Sequence, residues 1–365
     1  MEQAAASGRA GAGTTGVLLL NLGGPDREQA VRPFLLNLFR DPDVLAVPGG
    51  APVRHALAWL IATLRAPRVW RNYAEVGGSP LLPRTRAQER ALERRLNELA
   101  AAGGGGRRYA VRTAMRYWHP RAEEALRELD AEGADELIAL PLYPHSCRAT
   151  TGSSVKELRG LLARRADRRP LRVVGSWACD ARYLDALARC VQEAIWAARS
   201  RAGVPGPRAA AAGEPTLLFS AHGLPQRIVD SGDPYLDEIR ATVAGVMARL
   251  PGFRGEPVLA FQSRAGPVKW LEPATDATID RLGSSGVRTI VIVPVSFVSD
   301  HIETVHEIDV QLAARARAAG VTTFVRSEAL DVRSDFIDAL AGLVLGRVAG
   351  LPGGDVATPP LCASR

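Results

Sequence analysis

Short apolar runs that do not alternate with polar residues, each followed by an amphipathic stretch, limit more than any other feature how this chain can fold. They fall at residues 17–21 (VLLLN), 110–115, 136–140 (ELIAL) and 171–176 in the first half. In the second half they fall at 216–220 (TLLFS), 257–262, 289–293 (TIVIV) and 322–325. Such runs need apolar cover on both faces, which parallel strands between two layers of helix receive. Helical periodicity occupies the intervals 83–102, 122–132, 155–165, 183–199, 234–250, 274–284 and 304–319. This alternation predicts an α/β chain with a doubly wound parallel sheet in each half. The halves also echo each other. ELIALPLYP (136–144) parallels TIVIVPVSF (289–297), and VLLLNLGGP (17–25) parallels TLLFSAHGLP (216–225). Two similar domains would turn their strand C-termini toward a common cleft, where open α/β sheets bind ligands.

A length of 365 residues suits two domains. Residues 1–15 are expected to be a disordered Ala/Gly/Ser tail, 16–176 the first domain, 177–345 the second and 346–365 a loose Pro/Gly-rich end. Loops are expected at 101–107 and 201–215. The first domain carries extra sequence at about 26–82 without a counterpart in the second. It is helical and apolar, with Phe34, Leu35, Leu36, Leu38, Phe39, Leu57, Trp59, Leu60, Ile61, Leu64 and Trp70. Either these residues pack onto the first domain, or they form a lip around a large apolar cleft that also touches a membrane surface.

Composition excludes several classes. Hydrophobic residues make up 47% and charged residues 23%, so long disorder and a disulfide scaffold are ruled out. Cys147, Cys179, Cys190 and Cys362 form no C-x-x-C pair, which argues against a zinc ribbon or a thioredoxin-type centre and fits a reducing compartment. The net charge is +7, but the arginines are dispersed, and Lys156 and Lys269 are the only lysines. A nucleic-acid partner needs a clustered basic footprint, so none is expected. No apolar run approaches the roughly 20 residues of a membrane span. Glu2 and the lack of a long apolar stretch near the start argue against a signal peptide, so a cytoplasmic location is expected.

The chemistry-bearing motifs lie just past the predicted strands. GAGTTG (11–16) matches G-x-G-x-x-G but precedes a strand instead of following one, so it is not a dinucleotide fingerprint. TTGSS (150–154) opens a helix after a strand, where it could cradle an anion or simply cap the helix. His222, in SAHGLP, follows a buried strand, with Gly223 and Pro225 shaping a turn that points it into the cleft. SDHIETVHEID (299–309) puts Glu303 and Glu307 four residues apart on one helix face. Two stacked carboxylates repel, but near a cleft with histidines they look like an acidic track for a divalent cation. Imidazole and carboxylate donors suit Fe²⁺, Zn²⁺ or Co²⁺.

These motifs come in the order LLNLGGP (19–25), RNY (71–73), GGSPL (77–81), RYWHP (116–120), TTGSS, LLFSAHGLP (217–225), GDPY (232–235), QSRAGPVKWLEP (262–273) and SFVSDHIETVHEID (296–309). On these the chain, from about residue 17 to about residue 337, resembles the ferrochelatases, which insert Fe²⁺ into a porphyrin at the end of haem synthesis. The resemblance implies a chelatase-type fold of two Rossmann-like domains with the active cleft between them. It implies His222 as the catalytic histidine and Glu303 as the essential glutamate, both facing the porphyrin centre and the metal. Glu307 continues the acidic row toward the metal. Arg65, Tyr73, Ser79, Arg116, Tyr117, Trp270 and Phe297 match positions lining the porphyrin pocket, and Asp300 and His301 match a neighbouring polar network.

Three departures matter. Gln311 stands where the family row has a further carboxylate. Some members bind a [2Fe–2S] cluster through four cysteines. Here Cys147 sits one position early and the end of the chain offers only Cys362, so no cluster and no permanently bound cofactor is expected. Relatives that use coproporphyrin carry tyrosine where this chain has Leu22, so protoporphyrin IX is the expected substrate. The partners implied are the porphyrin and Fe²⁺, with peripheral contact at the inner membrane and a monomer or weak dimer. Other readings stay open: coproporphyrin III as substrate, insertion of Co²⁺ or Ni²⁺ into a more polar tetrapyrrole, or a non-catalytic carrier of porphyrin or metal.

Overall fold

The computed structural model describes residues 13–104, 106–202, 214–264, 266 and 268–348. Most of the expected tail 1–15, of the loop 201–215 and of the end 346–365 lies outside them. The first half contains β1 (Thr14–Asn21), α1 (Glu28–Arg40), α2 (Gly50–Glu75), α3 (Leu81–Ala102), β2 (Arg108–Met115), α4 (Ala122–Ala131), β3 (Ala134–Pro141), α5 (Ser153–Arg164) and β4 (Leu171–Val173). The second contains α6 (Ala181–Arg201), β5 (Thr216–His222), α7 (Gln226–Asp230), α8 (Tyr235–Met247), β6 (Val258–Gln262), α9 (Thr275–Ser284), β7 (Thr289–Pro294), a π-helix (Glu303–Leu312), α10 (Ala313–Ala318), β8 (Thr323–Arg326) and α11 (Ser334–Val348).

Each half builds a four-stranded parallel sheet, ordered β2-β1-β3-β4 and β6-β5-β7-β8. The chain leaves β1 to one side for β2 and returns to the other for β3, and β5 repeats this between β6 and β7. The C-terminal ends of β1 and β5 are therefore switch points, where adjoining connections diverge and leave a crevice. Leu22 follows the first, and His222 ends the second.

The apolar runs form these strands because both faces are covered. Val17 and Leu19 of β1 share one buried cluster with Leu217 and Phe219 of β5, sealed by α3, α6, α8 and α11. Leu18 and Leu20 face away, under α4 and α5, while Leu218 faces α9 and the π-helix. One core thus runs through both halves. α11 packs against α3 of the first half as well as α6 of the second.

Several expectations change. The strand begins at Thr14, paired with Arg108 and Ala134, so the expected tail of 1–15 is shorter than that. Residues 171–176 make a strand only to Val173. The predicted helix 304–319 is a π-helix up to Leu312. α11 was not expected and runs past residue 345 to Val348. The apolar insert is part packed and part exposed. Phe34, Leu35 and Ala62 pack with Tyr117 and Trp118, while Val53, Trp59, Leu60 and Leu64 stay exposed.

Where the halves meet, the N–H of Ser146 donates to Glu238 Oε2 at 2.6 Å and that of Arg148 to Asp233 Oδ2 at 2.8 Å. Glu238 is 4% exposed, and its other oxygen has no hydrogen-bond partner among the described residues. Burial pushes its carboxyl up to about 7, which the hydrogen bonds it accepts only partly offset. Folding therefore favours the protonated form. Stability is undiminished below the unfolded pKa of about 4.3 and falls as pH rises toward 7. Glu238→Gln is expected to raise Tm by about 2–5 °C at pH 8 and to leave it unchanged at pH 4.5, as calorimetry at the two pH values would show.

Candidate active site

His222 is held by its backbone before its ring is considered. Its N–H donates to Ser296 Oγ at 3.1 Å, and its carbonyl accepts from the Tyr235 hydroxyl at 3.0 Å. The Tyr235 and Ser296 hydroxyls lie 2.6 Å apart. Gly223 follows, its N–H donating to the Gln262 carbonyl at 2.8 Å; a Cβ there would lie 2.8 Å from that same oxygen, so only glycine lets the turn run this close to β6. The imidazole, 35% exposed, projects from β5 with Nδ1 2.8 Å from Glu303 Oε2. That bond fixes the tautomer with the proton on Nδ1 and leaves Nε2 as the basic nitrogen.

Glu303 opens the π-helix and Glu307 lies four residues on. Ser263, just past β6, touches both. Its hydroxyl is 3.0 Å from Glu303 Oε2 and 2.5 Å from Glu307 Oε2, and its N–H donates to Glu307 Oε1 at 2.9 Å. The two carboxylates keep a common face in the wider helix, as the spacing predicted.

Electrostatics separates these groups. Burial works against a charged His222, but the Glu303 carboxylate overrides it and raises the imidazole above its ordinary pKa. Burial would raise Glu303, but the neighbouring His222 holds its carboxyl well below the usual range. Glu307 is raised by burial and by Glu303. His301 is lowered by burial, against the opposing pull of Glu303. An imidazole able to take a proton thus stands beside a carboxylate that stays ionised, with a less acidic carboxyl behind. Among the described residues no three His, Cys, Asp or Glu side chains are grouped to hold a metal. His222 meets Glu303, and Ser263 joins Glu303 to Glu307.

The other predicted residues fall into distinct places. Phe297 packs against the His301 ring at 3.9 Å between centroids and meets His222 edge-on at 6.2 Å. Asp300 is ion-paired with Arg326 at 2.9 Å and accepts from Thr304 at 3.1 Å. Tyr73, from α2, is buried close enough to Glu303 for the carboxylate to add to the burial that raises its phenol. A Cβ on Gly24 would lie 2.7 Å from Ser79 Oγ and 3.7 Å from the Tyr73 hydroxyl, so the turn after β1 meets the end of the insert here. Leu22 packs against the insert's apolar cluster. Arg65 is exposed, lies over the Phe39 ring at 5.9 Å and has no ion-pair partner among the described residues. Trp270 lines a cavity of about 540 Å³ with Gln262, Ser263, Glu307 and Gln311.

Two positions depart from expectation. The Arg116 guanidinium is engaged by Asp41 at 2.6 Å, Ser153 at 2.7 Å and Glu157 at 3.1 Å. Tyr117 is fully buried, its hydroxyl donating to Asp41 at 2.9 Å. Asp41 at the end of α1 therefore turns both side chains into anchors for the insert. Sequence reasoning missed Asp41, Ser263, Tyr235 and Ser296. Ser263 and Ser296 stood inside quoted motifs, but nothing in their residue type marks them off from ordinary loop serines.

Comparison with known proteins fits this geometry. The ferrochelatase family model matches residues 14–348. The chain is 46% identical to a ferrochelatase of Geobacter metallireducens, over 92% of this chain and 99% of that protein. It is 43% identical to a ferrochelatase of Gloeobacter violaceus, over 90% and 96%. It is likewise 43% identical to one of Synechocystis, over 91% and 82%. Among solved structures it resembles SirB from Bacillus subtilis with Fe³⁺, at a TM-score of 0.51 and 10% identity, over 93% of this chain and 96% of that one. At that identity the likeness shows the two-domain fold alone.

Proposed function

Because the chain belongs to the ferrochelatase family, whose enzymes insert iron into a porphyrin in haem biosynthesis, we propose that its porphyrin is protoporphyrin IX. The observation that carries this is the engagement of Arg116. With its guanidinium taken by Asp41, Ser153 and Glu157, Arg65 and Ser79 remain, of the pocket positions that the resemblance implies, as cationic and hydroxyl partners for the porphyrin's propionates. Carboxylates are best held by cationic or hydroxyl donors. A porphyrin with two propionates suits that supply better than one with four. Leu22, packed in the apolar cluster of the insert, adds to the apolar lining.

In this reading His222 Nε2 accepts a pyrrole proton, and Glu303 stabilises the imidazolium that forms. Metallation releases two such protons, so the imidazole hands the first to solvent, to which it is partly exposed, before it takes the second. Glu307 and then Glu303 guide Fe²⁺ inward. Iron is the substrate here and not a resident cluster. Cys147 is buried, and it stands one position early for the cysteine of the cluster-binding members. Cys362 lies outside the described residues.

The test mixes the protein anaerobically with Fe²⁺ and either protoporphyrin IX or coproporphyrin III, in detergent, and follows porphyrin fluorescence. Multiple turnover with protoporphyrin is expected. Turnover with coproporphyrin III alone would overturn the substrate assignment, and binding without turnover would mark a carrier.

The exposed face of the insert supports peripheral membrane contact. Trp59, Leu60 and Leu64 are 52%, 47% and 70% exposed on α2, and no described helix is long and apolar enough to cross a membrane. An apolar patch flanked by arginines lies well at a lipid interface. Leu64→Asp is expected to abolish co-sedimentation with anionic vesicles while leaving kcat in detergent within about twofold. Unchanged sedimentation would remove the lip from membrane contact.

A further inference from the structure

Ser263 makes more contacts with the acidic track than its residue type predicts. Three contacts from this one residue reach the two carboxylates, two through the hydroxyl and one through the N–H. Gln262 supports them, its Nε2 donating to the Glu303 carbonyl at 3.2 Å and to Glu307 Oε2 at 3.3 Å. The φ of Ser263 is 64°, in the left-handed region that non-glycine residues seldom occupy. Such strain persists where surrounding structure enforces it, often at functional positions. Here it occurs where an N–H and a hydroxyl converge on paired carboxylates.

The hydroxyl carries one proton, so it can donate to only one carboxylate at a time. Glu303 stands against His222, while Glu307 forms part of the wall of the 540 Å³ cavity. From this geometry we infer that Ser263 is a positioning residue for metal transfer, holding Glu307 and Glu303 as successive ligands and moving its hydroxyl from one to the other as the ion advances. The inference rests on the reading that iron passes along these two carboxylates.

The test compares wild type, Ser263→Gly, Ser263→Asn and Glu307→Gln. Glycine keeps the N–H and suits the left-handed backbone, so the fold survives the loss of the hydroxyl. Asparagine also tolerates that backbone and offers two amide donors. Two readouts are taken: Co²⁺ binding to the porphyrin-free protein, and the separate KM values for Fe²⁺ and protoporphyrin IX. Ser263→Gly is expected to weaken Co²⁺ binding and raise the Fe²⁺ KM by about ten- to a hundredfold, the worth of a hydrogen bond to a charged group. The porphyrin KM should stay within about twofold, and Ser263→Asn should restore both metal readouts.

If Glu307→Gln weakens metal binding and Ser263→Gly does not, the role of Ser263 falls while the track stands. If neither variant changes the metal readouts, both fall. A rise in the porphyrin KM alone would assign Ser263 to the porphyrin and overturn the inference. Should wild type lack turnover, the proposed function fails, and the Co²⁺ comparison still decides the role of Ser263.

Discussion

His222→Ala is expected to lower kcat for iron insertion by about 10²–10⁴-fold, the usual worth of a positioned general base, while porphyrin still binds. The prediction is sharp because the contacts holding residue 222 in place are backbone contacts. Ser296 and Tyr235 grip the N–H and the carbonyl, so alanine keeps the end of β5 where it is. What disappears is the imidazole: the proton acceptor at Nε2, the partner of Glu303 at Nδ1 and an edge contact with Phe297. Anaerobic turnover followed by fluorescence gives kcat, and equilibrium fluorescence gives porphyrin affinity. A variant that turned over at the wild-type rate with intact folding would remove His222 from the chemistry.

Glu303→Gln is expected to cost a similar factor in kcat and also to displace the acid limb of the kcat/KM profile to lower pH. The sign follows from the environment of His222. A base must be unprotonated, so activity rises with pH through the imidazole pKa. In the wild type the Glu303 carboxylate, with a smaller contribution from Glu307, overcomes burial and raises that pKa above about 6.5. Without the Glu303 charge, burial dominates and lowers it. The acid limb therefore begins at lower pH in the variant, although every rate beneath it is smaller. A profile that kept its limb while kcat fell would mean that the titrating base is another group.

The large features were legible because they follow from burial. Apolar runs such as 289–293 and 216–220 are strands bounded as expected to within a residue or two, and both sheets are parallel as their lack of alternation required. His222 and Glu303 were found because one closes β5 and the other opens the helix that follows β7, and their 2.8 Å contact joins two segments separately read as functional. The π-helix was not legible. Its residues keep an amphipathic pattern that an α-helix would also satisfy, and its contacts with Gln262 and Ser263 come from the end of another strand, about 40 positions away in sequence. Arg116 shows the complementary limit. A motif arginine beside a cleft suggests a free cation, and its pairing with Asp41 depends on where α1 ends, 75 positions away in sequence. α11 escaped attention because it is apolar nearly all round, as a helix wedged between two other helices must be.

That wedge bears on how the molecule comes into being on the ribosome. α3 is complete once residue 102 has been made, but the helix that covers one side of it begins at residue 334. At about 5–20 residues per second, α3 waits on the order of tens of seconds for that cover. The nascent first half can form its own sheet, yet the seam shared with the second half stays open until the segment 334–348 emerges. A half-made chain therefore lacks His222 and Glu303, and leaves bare the side of α3 that the last helix covers.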